Sequence, residues 1–202
     1  MEDNSPGAIL KKFYNDNDLG SDGGLNSMSV KIKLFKNFCF YFPNFDARRR
    51  AVIKHDIHHL VTGYAASSIS GESEISAWEI ASGCKKYWPA FLIDTSGVMI
   101  GLPINFIGIL KAFSRGRKTR NLYHDILSNE EALGMKISEL QKLLYLDKQD
   151  INFKPSLADL ILFSGFILYG VAYSIVSFVF LPFIILYSVY ISFGIKKYRR
   201  PA

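Results

Sequence analysis

Hydrophobic and polar positions are very unevenly spread along the chain. From residue 160 to 195 there are thirty-six positions without a single Asp, Glu, Lys or Arg. A straight helix of that length would run roughly 54 Å at ~1.5 Å per residue, against a hydrocarbon core of ~30 Å. Pro182, with Gly165 and Gly170 before it, therefore predicts a break, and the stretch reads as a membrane hairpin over 155–198. Two buried helices of a soluble bundle would need polar faces, and the only polar side chains here are Ser and Tyr.

The middle of the chain has a different rhythm. Apolar periodicity predicts helices over 47–61, 71–83, 104–113, 120–127 and 137–144, with no sustained period-two alternation, so the fold class is all-α. Residues 87–110 carry one charge, Asp94, and are interrupted by Pro89, Gly97, Gly101, Pro103 and Gly108. Such interruptions predict a buried, kinked core element rather than a span. Residues 1–44 read as an arm: Pro6, Gly20, Gly23 and Gly24 punctuate it, with a short helical turn over 9–14. Its apolar-aromatic run, 34–42, ends at Pro43 and suits either a buried helix turn or a surface lying on lipid. The acidic start lacks the basic and apolar regions of a secretory signal. Three parts follow: the arm 1–44, a helical metal-binding domain 45–150 and the hairpin 155–198.

Charge sharpens this division. The net charge is +6, and half of it comes from Lys196, Lys197, Arg199 and Arg200, set against Asp159 alone beyond Lys154. A basic cluster parked after an uncharged run marks the cytoplasmic side of a last membrane helix, not a nucleic-acid surface, so nucleic acid is excluded as a partner. A hairpin would return the helical domain to that same cytoplasmic side. Two cysteines, Cys39 and Cys84, are too few for a disulfide framework or a thiolate metal knuckle.

Candidate chemistry is concentrated at His55-Asp56-Ile57-His58-His59, which holds three of the four histidines. At ~100° per residue His55 and His59 project from nearly one helix face, Asp56 flanks them, and His58 lies about 60° to the other side of His55. Two imidazoles and a carboxylate suit zinc, or iron or manganese when more oxygen is supplied. Glu72, at the start of the next helix, is the candidate further ligand, although it and Glu74 also complement a helix N-terminus. Glu79 lies two turns along the same face as Glu72 and reads as an outer partner or a substitute ligand. Arg48, Arg49, Arg50 and Lys54 either solvate their helix or hold a substrate anion.

His55-Asp56-x-x-His59, followed by Gly63-Tyr64 and Gly71-Glu72, resembles the signature of the coenzyme Q biosynthesis protein 4 family, His-Asp-x-x-His with a Glu after an eleven-residue gap. Here the gap, 60–71, is twelve residues. The resemblance covers residues 45–146. It implies an all-α metal-binding protein at a membrane surface that handles polyprenylated quinone precursors, removing the ring carboxyl at C1 and replacing it by hydroxyl, or organising other ubiquinone-pathway proteins that do so. It implies that His55, Asp56, His59 and Glu72 hold the divalent metal and carry the catalysis, with membrane lipid as a further partner.

Three other readings compete. A di-iron histidine-box enzyme needs about eight histidines, and only His124 remains outside the cluster. A His-Asp phosphohydrolase would use His124-Asp125 with Asp147 or Asp150. A non-catalytic lipid- or quinone-binding scaffold would use the metal to fasten two helices. The basic loop Arg115-Gly116-Arg117-Lys118-x-Arg120 suits any protein at a membrane, where each cation near anionic headgroups contributes ~1 kcal/mol.

Overall fold

The computed structural model describes residues 5–16, 29–35, 38–44, 46–66, 68–147 and 154–198. Helix α1 (Pro6–Asp16) is followed by strands β1 (Ser29–Phe35) and β2 (Phe38–Pro43), then by α2 (Asp46–Thr62), α3 (Ile69–Ser82) and α4 (Trp88–Gly116). A 3-10 turn at Leu122–His124 leads to α5 (Asn129–Gly134), α6 (Ile137–Leu143) and the long α7 (Leu157–Tyr198). The domain is all-α as its periodicity requires. The departure lies ahead of it: the run 34–42, read as a helix turn or a lipid-lying surface, contributes instead to an antiparallel β1–β2 pair. A nine-residue run, five of its residues aromatic, is too short a window for period to separate strand from helix.

The helices begin and end where local chemistry says they should. Asp46 sits in the first turn of α2, at the positive end of its dipole, and Gly63 at φ 80° closes the other end by donating its N–H to the His59 carbonyl. The last carbonyls of α2 find further donors: Gln141 Nε2 reaches Val61 O at 2.9 Å and Arg115 Nη1 reaches Thr62 O at 3.0 Å. Ser68 caps α3 by accepting from Gly71 N–H, and Ser128 with Glu131 forms a capping box on α5. The helix expected over 120–127 shrinks to the single 3-10 turn. Buried Asn121 takes the Tyr123 N–H on its side chain, and Asp125 adopts a left-handed conformation, which together stop propagation.

Helix α3 is the central element. Ile75, Ala77 and Trp78 are fully buried on it, against Ile57 and Val61 of α2, Val98 and Ile109 of α4, and Leu122, Leu140 and Leu144. The Trp78 indole N–H is satisfied by Thr119 Oγ1 at 2.9 Å. Helix α4 folds back on itself over this core. Residue Asn105 has non-helical torsions (φ −144°, ψ 57°) two positions after Pro103, and its side chain re-caps the chain by accepting from Gly108 N–H at 3.0 Å. Its first limb descends α3, Gly97 against Ser76 and Gly101 against Ser73, and its second limb climbs back, Gly108 against Glu74 and Gly116 against Trp78 and Ala81. The kinked element is therefore a helical hairpin. It is only partly buried: Ile100, Ile104 and Ile107 are about 60% exposed.

The membrane hairpin over 155–198 is corrected to one continuous helix. Helix α7 runs through Pro182 without reversing. A proline costs the helix one N–H donor, whereas reversing the chain would strand several backbone groups with no turn residues to satisfy them. Up to Tyr173, α7 lies across both limbs of α4, through Phe163 on Phe113 and Phe106, Gly170 on Met99, and the Tyr173 hydroxyl on Leu92 O at 3.1 Å. Beyond that point most of its described side chains are exposed. A single helix puts Lys196 and Lys197 in the last turns of α7, at the end opposite Leu157, so the shared cytoplasmic side inferred from a hairpin loses its footing. Arg199 and Arg200 lie outside the described residues. By length and composition, two helices, α4 and α7, are apolar enough to cross a membrane.

A Cβ at Gly101 would lie 1.9 Å from Ser73 Oγ and 2.3 Å from Ser73 Cβ, so the α3–α4 contact has no room for a side chain there. Gly101→Leu should cost at least ~1–3 kcal/mol of stability by overpacking, read as a lowered thermal midpoint in detergent, while Gly134→Ala, which meets no atom within 4 Å, should leave the midpoint unchanged or slightly raised.

Candidate metal centre

The i, i+4 spacing on α2 brings His55 and His59 side by side, with their Nε2 atoms 3.2 Å apart. Glu72, in the first turn of α3, faces both: Oε2 is 3.5 Å from His55 Nε2 and Oε1 is 3.5 Å from His59 Nε2. The crossing that allows this needs a glycine one residue earlier. A Cβ on Gly71 would meet the Ala65 carbonyl oxygen at 2.1 Å, where the α2–α3 loop passes over the helix.

What lies behind the two imidazoles determines what they offer in front. His59 Nδ1–H donates to the Tyr64 carbonyl at 2.9 Å, and His55 Nδ1–H donates to Glu79 Oε1 at 3.1 Å. Both rings thus turn an Nε2 lone pair toward the other and toward the Glu72 carboxylate. Three electron-pair donors facing one point repel each other unless a cation or a proton sits among them. Their spacings of 3.2 and 3.5 Å are close to the roughly 3.3 Å edge of a tetrahedron with ~2.0–2.1 Å metal–nitrogen bonds. The residues present therefore fit a divalent ion, and the back-side bonds are the outer partners that orient metal-binding histidines.

Glu79 does more than hold His55. It is fully buried, and its Oε1 also accepts from His58 Nδ1–H at 2.5 Å while Oε2 accepts from the Tyr123 hydroxyl at 3.2 Å. His58 in turn accepts the Leu122 amide on Nε2 at 2.9 Å, which fixes its tautomer and turns it into the core, against Trp78 and Tyr123. His58 is a structural histidine. The outer-partner reading of Glu79 matches the geometry: seven residues place it on the same stripe of α3 as Glu72, so one imidazole spans the two carboxylates. His55, Glu79 and buried Asp94 of α4 bring a second set of oxygen and nitrogen atoms within 4.8 Å of one another behind the site.

Asp56 departs from the expected ligand set. One residue from His55 on a helix, it projects about 100° away, and its carboxylate is held by the Tyr14 hydroxyl of α1. The residues brought together are His55, His59 and Glu72. The cations before the cluster also point elsewhere. Lys54 is buried against Leu127 O at 3.3 Å and Asp125 at 3.7 Å, and Arg48 binds Asn44 Oδ1 at 2.9 Å. His124 donates to the Ser82 carbonyl at 2.7 Å and Asp125 is taken by Lys54, Lys86 and Tyr87, so the phosphohydrolase pair is committed to structural contacts; Asp150 lies outside the described residues. Within the basic loop, Arg115 stacks over Tyr64 at 5.5 Å, Arg117 pairs with Asp159, and Arg120 lies over Tyr145 at 5.0 Å. What sequence reasoning missed is Tyr64 O, since a backbone acceptor leaves no residue-type signal.

The electrostatics follow from the same contacts. Burial disfavours charge on the His55 ring, yet the Glu79 and Glu72 carboxylates outweigh it and hold its pKa well above the ordinary imidazole value. Burial also works against the Glu72 carboxylate, and His55 and His59 outweigh it, bringing Glu72 down to about 2. Burial dominates at His58 and lowers its pKa, which keeps it neutral. No family model, curated protein or solved structure matches the chain.

Two outcomes are expected. Glu79→Gln should weaken metal binding by about 10–100-fold, because the His55 ring loses its charged outer partner, as measured by competition with a chromophoric chelator. Metal binding must displace the proton that the carboxylates stabilise on His55, while Glu72 is already ionised, so affinity should rise about tenfold per pH unit and level off once pH exceeds the raised His55 pKa. A pH-independent affinity between about pH 6 and about pH 8 would contradict that proton balance.

Proposed function

We propose that the chain is a membrane-associated, metal-dependent protein that acts on an amphipathic ring carboxylate of the polyprenylated benzoate class, as in ubiquinone biosynthesis. The observation that carries the reading is the ligand count. Among the described residues His55, His59 and Glu72 offer two nitrogens and a carboxylate, while the Asp56 carboxylate, which would have filled a fourth position, is engaged by the Tyr14 hydroxyl. Structural sites are typically closed by four protein ligands; three ligands with an open position are the catalytic pattern. That favours catalysis over a scaffold whose metal only fastens helices. The donor set suits zinc, and the same two-histidine, one-carboxylate set also suits ferrous iron or manganese.

When bound, the divalent ion would supply a Lewis acid for a ring carboxylate and a neighbouring phenolic oxygen, stabilising negative charge as the carboxyl bond breaks. The chain's own residues set up that event. Glu79 and the Tyr64 carbonyl hold the two imidazoles in one tautomer and orientation, so no reorganisation is needed when substrate arrives. Glu72 is the most open of the three, with its side chain 43% exposed, against 24% for His55 and 6% for His59, so substrate approaches from the Glu72 side. The resemblance of the motif to the coenzyme Q biosynthesis protein 4 family selects the polyprenylated ring among anionic lipids, and the apolar α4 and α7 supply a membrane in which such a substrate dissolves.

The test compares His59→Ala with Asp56→Asn. His59→Ala should lose bound metal by elemental analysis and abolish conversion of a polyprenylated hydroxybenzoate, whereas Asp56→Asn should keep the metal-to-protein ratio of the parent. Loss of metal in Asp56→Asn together with its retention in His59→Ala would overturn the ligand set. A fully metal-loaded protein that neither binds nor converts the ring compound would overturn the substrate class.

A further inference from the structure

We infer that α4 does not cross the membrane but dips into it as a re-entrant helical hairpin, its apex inserted in the bilayer and both of its ends on one side. The two limbs run first down and then back up α3, so residues 88 and 116 emerge at the same end of the domain, with Asn105 at the other. Chain reversal at the apex is supported by a side chain in place of lost backbone bonds. The Asn105 side chain caps the second limb through Gly108 N–H and is itself held by Ser70 Oγ at 2.5 Å and Glu74 Oε1 at 2.8 Å.

The occupant of the apex surface is identified by its chemistry. Ile100, Ile104, Phe106 and Ile107 are 46–61% exposed, too large and too clustered an apolar patch for water. Phe106 packs on Phe163 of α7 at 5.8 Å, so this patch continues directly into the exposed Ile161 and Leu162 of a helix that is apolar enough to span. The opposite end of the hairpin is built for headgroups: exposed Lys85 and Lys86, the latter paired with Asp125, precede the first limb, exposed Trp88 opens it, and exposed Lys118 and Arg120 follow the second. Aromatic and basic residues at the entrance with isoleucines at the apex are the pattern of a segment entering a bilayer that contains anionic lipid. Lys111, exposed midway along the second limb, has a stem long enough to bring its ammonium back to the headgroups.

This surface deepens the reading above and depends on it only for the route of the substrate. Ser70 and Ser73, which bracket Glu72 on α3, touch Asn105 and the backbone at Gly97, so along the α3 axis Glu72 lies within about a turn of the apex, while its carboxylate faces α2. A ring carried in the bilayer would have to pass around α3 by about that distance to meet the exposed edge of Glu72.

The experiment uses the full chain carrying Cys39→Ser, since Cys84 is buried, with a single cysteine introduced as Ile104→Cys, Lys86→Cys or Lys118→Cys. In vesicles of phosphatidylcholine and phosphatidylglycerol, a nitroxide at position 104 should be relaxed several-fold more by dissolved oxygen than by a water-soluble nickel chelate, with the reverse ratio at 86 and 118. In sealed membrane vesicles from expressing cells, an impermeant maleimide should label positions 86 and 118 from the same face. Chelate access at 104 equal to that at 86, or labelling of 86 and 118 from opposite faces, would overturn the inference. Unchanged metal content in each variant certifies the fold. None of these positions touches the metal ligands, so the outcome is independent of whether the ring compound is a substrate.

Discussion

A carboxylate with no exposure to solvent organises this molecule. Burying Glu79 unpaired would cost several kcal/mol, and removing a partner from such a buried group typically costs ~3–5 kcal/mol. Its oxygens are filled by His55 and His58 from α2 and by Tyr123 from the segment after α4. Two parts of the chain, α2 and the segment after α4, are therefore locked to α3 by one side chain. Because one of the three bonds also sets the tautomer of His55, the folding of the core and the readiness of the metal site are the same event.

The neighbourhood of α3 explains why the rest fits around it. On one side its small residues, Ser73 and Ser76, let the first limb of α4 approach backbone to side chain, at Gly97 and Gly101, and Gly116 of the second limb closes on Trp78 and Ala81. On the other, Glu72 and Glu79 share a stripe facing α2. Small-residue contact and charged contact thus divide the helix surface between them, and the aliphatic and indole groups of Ile75 and Trp78 fill the space between. The long apolar helix α7 is added outside this arrangement, across α4, without entering the site.

Much of this was legible in the amino-acid order. Helical period located α2, α3 and α6 within two residues, and the i, i+4 histidines gave the pair that shares a face. Less legible were features set by partners distant in sequence. Asp56 reads as a ligand because it adjoins His55, but neighbours on a helix diverge, and Tyr14 decides where it goes. His58 and His59 are adjacent and chemically alike, yet one is a core residue and the other a candidate ligand, a choice made by Leu122 N–H and Tyr64 O. Pro182 carries the sequence signal of a break, whereas the helix actually reverses at Asn105, where a side chain can replace the lost backbone bonds.

One feature of the buried shell bears on which ions the site would admit. Cys84 lies behind the ligands, its sulfur near Glu79 O at 3.7 Å and Asp94 Oδ2 at 3.8 Å, and burial followed by the charge of Asp94 and Glu79 pushes its thiol far above the usual range. It stays protonated and poorly nucleophilic at any physiological pH. Among the described residues the candidate site therefore presents nitrogen and oxygen, with the Cys84 sulfur held behind it against Glu79 O and Asp94. That donor set suits hard and borderline divalent ions better than soft ones.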